Sequence, residues 1–196
     1  MGLLRDVALG VEEAVEPLFD DDSAAEVVGM GADGTPTKRI DEVAEKAALD
    51  LIEEHGDVRV VSEERGEVVY GEPEATVALD PLDGTYNASN GVPFYSVSVA
   101  LVDGDSVNDT VESHVRELTT GVSYTATRGD GAFCDGEPIE VEGDTTPSKM
   151  TLGGVYNIEG FDPARFKRVR LLGCSSLELC YTAAGRFDAF ADLRSR

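Results

Sequence analysis

The sequence has no tryptophan, three cysteines and only four lysines in 196 residues, and no apolar run approaches the length of a membrane span. Each shortage excludes something. A transmembrane helix needs about 20 predominantly apolar residues, and the N-terminal stretch MGLLRDVALGVEE lacks the apolar core of a signal peptide, so the chain is expected in the cytoplasm with no membrane partner. Cys134, Cys174 and Cys180 form an odd set without CxxC spacing, which supports neither a disulfide framework nor a zinc site. Basic residues are scarce, with 16 Lys and Arg against 39 Asp and Glu and a net charge of −23. Such a surface repels phosphate backbones and anionic headgroups, so no nucleic-acid partner is expected either. The acidic, lysine-poor composition instead fits a halophilic protein, whose self-repulsion is screened by concentrated salt.

What is present is 41% apolar residues, enough for a packed core in one or two domains. Leu3, Leu4, Val7, Ala8, Val11, Ala14, Val15 and Leu18 recur at three- and four-residue steps, predicting an amphipathic helix over residues 2–19. A Gly-rich connector, Gly29 to Gly34, leads to a second such helix carrying Ile40, Val43, Ala44, Ala47, Ala48, Leu51 and Ile52. The period then drops to two. Strands are expected at Val58–Val61, Val68–Tyr70, Thr76–Leu79, Ser96–Val102, Asp109–Ser113, Val122–Thr127 and Ile139–Val141, with Asp103-Gly104 and Asp135-Gly136 as hairpin turns. Strands so closely spaced imply an antiparallel sheet. Beyond the loop Gly143–Ser148, strands and helices alternate: strand Met150–Gly154, helix Pro163–Phe166, strand Val169–Leu172, helix Ser175–Ala184 and strand Ala189–Leu193. The expectation is an α+β protein, with residues 1–142 as a first unit and 143–196 as an incomplete α/β unit.

Chemistry concentrates in Asp80-Pro81-Leu82-Asp83-Gly84-Thr85, which follows a buried strand and sets two carboxylates on one stiffened turn with a peptide carbonyl between them. A hard divalent cation takes oxygen ligands of this kind. Gly84 permits close backbone approach, and the N–H groups of Gly84 and Thr85 suit a phosphate. Asp-Pro and Asp-Gly are also everyday turn dipeptides. A second acidic pair, Ser62-Glu63-Glu64, ends an earlier strand; it reads as a charged turn unless the two strands are neighbours.

The blocks Thr37-Lys-Arg-Ile-Asp41, Ser62-Glu-Glu64, Asp80-Pro-Leu-Asp-Gly-Thr85 and Gly129-Asp-Gly-Ala-Phe-Cys-Asp-Gly136 stand in the order and spacing of the inositol monophosphatase family. The sequence resembles that family over nearly its whole length. Gly31-Ala-Asp-Gly-Thr-Pro-Thr-Lys38 is similar to the archaeal branch, whose members act as fructose-1,6-bisphosphatases, inositol-1-phosphatases or both. The resemblance implies a layered αβαβα sugar-phosphatase fold, Mg²⁺-dependent hydrolysis of a small phosphate ester with two or three ions, and frequent homodimers. It also implies roles. Glu63, Asp80 and the carbonyl of Leu82 would hold one Mg²⁺, and Asp80 with Asp83 a second. Thr85, paired with Asp41, would orient or deprotonate a metal-activated water for in-line attack on phosphorus, Glu63 being part of this catalytic group. Asp83, Gly84 and Thr85 would face the phosphate. Ser175 and Asp192 occupy positions where the family contacts substrate, and Arg170 and Arg194, with Lys167 and Arg168 nearby, are cations for a second phosphate.

One departure carries an expectation of its own. The family has a further metal-binding aspartate shortly after the strand matching Ala189–Leu193, and this sequence stops at Arg196. A fragment of a longer chain is the expected explanation, ahead of a complete protein that has lost catalysis or a missing part supplied by another chain, with weak or absent turnover in these 196 residues alone. The functional alternatives, which are separate, are a 3′(2′),5′-bisphosphate nucleotidase, against which the absence of a base-stacking tryptophan counts, and a non-catalytic Mg²⁺-binding regulatory module.

Overall fold

The computed structural model describes residues 2–19, 21–32, 34–141, 146–156 and 161–193. Helix α1 (Leu3–Val15) is followed by a short 3-10 turn at Glu16–Leu18, then by the hairpin β1 (Val27–Met30) and β2 (Pro36–Lys38) and by helix α2 (Arg39–His55). Next come β3 (Val58–Ser62), β4 (Gly66–Tyr70), β5 (Ala75–Asp83), the short helix α3 (Thr85–Ser89), β6 (Ser96–Val102), β7 (Thr110–Glu117), β8 (Ser123–Thr127), β9 (Gly131–Cys134) and β10 (Glu137–Pro138). The chain continues through β11 (Thr151–Tyr156), β12 (Arg168–Arg170), helix α4 (Ser175–Ala183) and β13 (Ala189–Asp192).

Strands β3 to β10 form one eight-stranded sheet in the order β10-β9-β8-β7-β6-β5-β3-β4. Its pairs are antiparallel except β3 with β5, which run parallel with Ser62 opposite Leu79. Alternation explains the packing: Val58 and Val60, Val77 and Leu79, and Val97 and Val99 point to one face, where they meet Leu4, Val7 and Val11 of α1 and Ile40, Ala44, Ala48 and Ile52 of α2. Gly10 lets the two helices approach, because a Cβ there would lie 2.4 Å from Leu51 Cδ1. On the other face sits α4, whose Leu177 packs with Tyr124 together with the preceding Cys174. Beyond α4 a three-stranded parallel sheet, β12-β11-β13, begins the α/β layer.

The α+β class and the layered arrangement stand as expected, and several elements differ locally. The first helix ends at Val15 because Pro17 lacks the N–H that would continue an α-helix, so the chain tightens into the 3-10 turn. The Gly-rich connector lies within the β1–β2 hairpin, and Gly131–Cys134 is a strand that the sequence pattern did not suggest. Ile139–Val141 is not a strand; beyond the Pro138–Phe133 pair one last bond runs from the Ile139 N–H to the Ala132 carbonyl at 3.0 Å, and Val141 is exposed. Pro163–Arg165 is a 3-10 turn capped by Asp162, whose carboxylate accepts from the Ala164 N–H at 3.0 Å. The Asp135-Gly136 turn carries positive φ at both residues, 48° and 83°, as a tight hairpin requires. The expected boundary between residues 142 and 143 lies outside the described residues. Among the described residues no helix is long and apolar enough to cross a membrane.

Candidate active site

The parallel pairing of β3 with β5 makes the site. With Ser62 opposite Leu79, the next residues of the two strands, Glu63 and Asp80, emerge side by side at the same sheet end, and the Glu63 N–H donates to the Leu79 carbonyl at 3.3 Å. Both carboxylates line an open cleft of about 560 Å³ together with Ser62, Leu79 and Ser98. Burial raises the Asp80 pKa well above the ordinary carboxylate value, and the neighbouring Asp83 and Glu63 charges push it further. Proximity to Glu63 adds to the rise, so a cation placed among these acids would favour the ionised form of Asp80.

Pro81 interrupts the β5–β6 ladder, and register is regained at Asp83 opposite Ser96. Inside this bulge the Leu82 N–H donates to Asp80 Oδ1 at 3.1 Å, and the Leu82 carbonyl accepts from the Thr85 hydroxyl at 3.1 Å. Gly84 follows in the left-handed region at φ 93°, with Phe94 O and Tyr95 Cβ each 3.1 Å from where a Cβ would stand. Only glycine fits both the dihedral and the space. It starts α3, so Thr85 opens a helical turn.

Asp41 lies in the first turn of α2, where the Lys38 N–H donates to its Oδ2 at 2.9 Å. Its other oxygen, Oδ1, is buried without a hydrogen-bond partner. Burial raises its pKa, against the opposing pull of the Lys38 N–H and of the Thr85 hydroxyl close by. Thr85 thus stands between the Leu82 carbonyl and an under-satisfied carboxylate.

Asp83 Oδ2 is turned toward α4, accepting from the Ser176 N–H and hydroxyl and from the Cys174 thiol, the last at 3.3 Å. Among the described residues no three His, Cys, Asp or Glu side chains close into a finished metal cage. The donor set nevertheless fits Mg²⁺: hard oxygens from Glu63, Asp80 and Leu82 at one strand end, a buried acid whose ionisation its acidic neighbours oppose, and an orphaned Asp41 oxygen.

The remaining expected residues fall in the second layer. Arg170 ends the edge strand β12, exposed, with Nη1 donating to its neighbour Val169's carbonyl at 3.0 Å. Its segment is tied to α3, since Asn87 Nδ2 donates to the Leu172 carbonyl at 2.7 Å and to the Phe94 carbonyl at 2.8 Å. Asp192 ends β13, on the opposite side of β11. Ser175 is the first residue of α4, but Ser176 is the one that reaches Asp83. Arg194 lies outside the described residues. Ser176, Asn87 and the buried Glu45 are not among the expected site residues; the helix starts at Cys174–Ser175 and after Gly84 point near the first two.

The inositol monophosphatase family model matches residues 3–196. A fructose-1,6-bisphosphatase/inositol-1-monophosphatase of Methanothermobacter thermautotrophicus is 38% identical, the match covering 98% of this chain and 75% of that protein. A bifunctional NADP phosphatase/NAD kinase of Methanococcus maripaludis is 34% identical over 95% of this chain and 38% of its own length. The crystal structure of an inositol monophosphatase-fructose 1,6 bisphosphatase superposes with a TM-score of 0.87 at 31% identity, covering 98% of this chain and 75% of the other. With the sheet order, the strand-end carboxylates and the Gly84 turn in place, these similarities decide the matter: the chain belongs to the inositol monophosphatase family.

Proposed function

We propose that this protein is a Mg²⁺-dependent phosphomonoesterase acting on fructose-1,6-bisphosphate, inositol-1-phosphate or both. The observation that carries this reading is the convergence of Glu63 and Asp80 at one strand end, beside the Thr85–Asp41 pair. Glu63, Asp80 and the Leu82 carbonyl would hold a first ion, and Asp83 would join Asp80 at a second. Bound Mg²⁺ supplies charge neutralisation at the ester phosphate and activation of water. The protein's own groups do the rest. Asp41 Oδ1, buried and unpartnered, is the acceptor toward which the Thr85 hydroxyl can pass a proton. The backbone at Gly84 and Thr85 would face the phosphate, while Ser175, Asp192 and Arg170 of the second layer would meet the remainder of the substrate; Arg194, a further candidate cation, lies outside the described residues. An anionic ester approaches against a net charge of −23, so the cations of the site and of the Arg170 segment are what draw it in. A cytoplasmic, salt-adapted setting and a homodimer accord with the composition and the family.

The test is inorganic phosphate release from fructose-1,6-bisphosphate, inositol-1-phosphate, NADP and adenosine 3′,5′-bisphosphate, with Mg²⁺ and with chelator. Mg²⁺-dependent release from either of the first two, abolished by Asp80→Asn, supports the proposal. Release confined to the adenosine bisphosphate identifies a nucleotidase. Mg²⁺ uptake with no release from any ester counts against turnover by these 196 residues and is the outcome a binding module would give.

A further inference from the structure

Glu45 is a charged residue with 3% of its surface exposed, a placement that is unfavourable unless both oxygens are engaged. Its partners all belong to one short segment. Oε1 accepts from the Ser62 hydroxyl and from the Arg65 N–H at 3.1 Å, and Oε2 lies 3.4 Å from Arg65 Nε. The carboxylate therefore grips the β3–β4 turn at both ends, and the two residues held between the grips are Glu63 and Glu64. The turn is tied from its outer side as well: the Glu64 carbonyl accepts from the Ala32 N–H at 2.8 Å and its carboxylate accepts from the Thr37 hydroxyl.

A hairpin turn of this length forms without a buried carboxylate, and an apolar side chain would fill the same place with less desolvation. The arrangement makes sense as a mount. Glu45 stands one helical turn after Asp41 on the same buried face of α2, so a single rigid helix carries Asp41 at one point and fixes the backbone of Glu63 at the next.

We propose that Glu45 is a positioning residue for the divalent-cation site: it touches neither ion nor substrate, but sets where the Glu63 carboxylate stands relative to Asp80 and Asp41. This inference rests on the assignment of Glu63 as a metal ligand. Partners that orient a ligand typically govern metal affinity by about 10- to 100-fold.

The test is Mn²⁺ binding to the full chain, read by electron paramagnetic resonance, with circular dichroism to verify folding. Wild type is compared with Glu45→Gln, Ser62→Ala and Glu63→Gln. Ser62→Ala releases one grip without altering charge and serves should Glu45→Gln fail to fold. The expected result is a Kd raised about tenfold or more by Glu45→Gln and about threefold or more by Ser62→Ala. Three results overturn the proposal. If Glu63→Gln weakens binding while the other two stay within about twofold of wild type, Glu45 does not position the ligand. If Glu45→Gln weakens binding and Ser62→Ala does not, Glu45 acts through its charge alone. If Glu63→Gln leaves the Kd unchanged, the metal-ligand assignment fails and the inference fails with it.

Discussion

Asp83 Oδ2 accepts hydrogen bonds from both the backbone N–H and the hydroxyl of Ser176, each at 2.6 Å. A residue of the first layer thereby caps the first turn of a helix in the second, where a carboxylate also meets the favourable end of the helix dipole. Ser96 completes the junction, its hydroxyl 2.7 Å from Ser176 Oγ and 3.2 Å from Cys174 Sγ. Ser176→Ala keeps the backbone bond and removes the hydroxyl bond. We expect a loss of about 1.5 kcal/mol, the lower end for a bond to a charged group because the site is only partly buried. Denaturant unfolding in chelator measures it, and an unchanged midpoint would show that the layers do not depend on this contact.

Thr85 offers a sharper test of the chemistry. Thr85→Val preserves the shape of the helical turn but cannot donate to Leu82 or Asp41. Loss of a positioned proton-transfer group should lower kcat by about 100-fold or more, with KM little altered, and Thr85→Ser should recover most of the rate. A valine variant with wild-type kcat refutes the assigned role.

Stability should report the Asp80 environment through pH. Its folded-state pKa is raised, by burial first and by Asp83 and Glu63 next, so the metal-free folded protein holds a proton that the unfolded chain releases near 3.8. Above that value the folded state binds more protons than the unfolded one, and the contribution of Asp80 to stability falls as pH rises toward its folded pKa. In chelator, wild type should therefore lose ground to Asp80→Asn from about pH 4 upward, and Mg²⁺, which binds the deprotonated form, should stabilise wild type more at higher pH. Parallel stability curves for the two proteins in chelator would contradict this.

Arg170 is suited to a remote phosphate, being exposed and joined through Leu172 and Asn87 to the turn that follows Thr85. Arg170→Ala should raise KM for fructose-1,6-bisphosphate by about tenfold, the worth of one charge-assisted contact, and leave inositol-1-phosphate nearly unaffected. Equal effects on both esters would remove Arg170 from bisphosphate recognition.

The residues of the site were more legible than the contacts that assemble it. Asp80, Asp83, Gly84 and Thr85 are contiguous, and the turn they form is dictated locally by Pro81 and Gly84, so sequence order and local order coincide. Glu63 is different, because only the parallel pairing of β3 with β5 brings it to Asp80, and alternation along a strand carries no information about which strand lies alongside. The same holds for Ser176, which neighbours the foreseen Ser175 but meets Asp83 only through the docking of α4. Glu45 reads in the sequence as one more acid on an acidic helix, and its burial depends on the Ser62–Arg65 turn lying beneath it. Pro17 ends α1 by removing an N–H donor, a constraint visible in the sequence but weaker there than the apolar periodicity running through it.

The parallel pair within an otherwise antiparallel sheet also has a kinetic meaning. Every antiparallel neighbour in the sheet can form by folding back on the preceding strand, whereas β5 must pass the β3–β4 hairpin before it docks beside β3. The proposed cation site would not exist until that non-local step is complete, so Mg²⁺ would have nothing to grip in the earlier folding ensemble. Bound metal should then act on the escape from the native state, slowing unfolding while leaving the folding rate almost untouched.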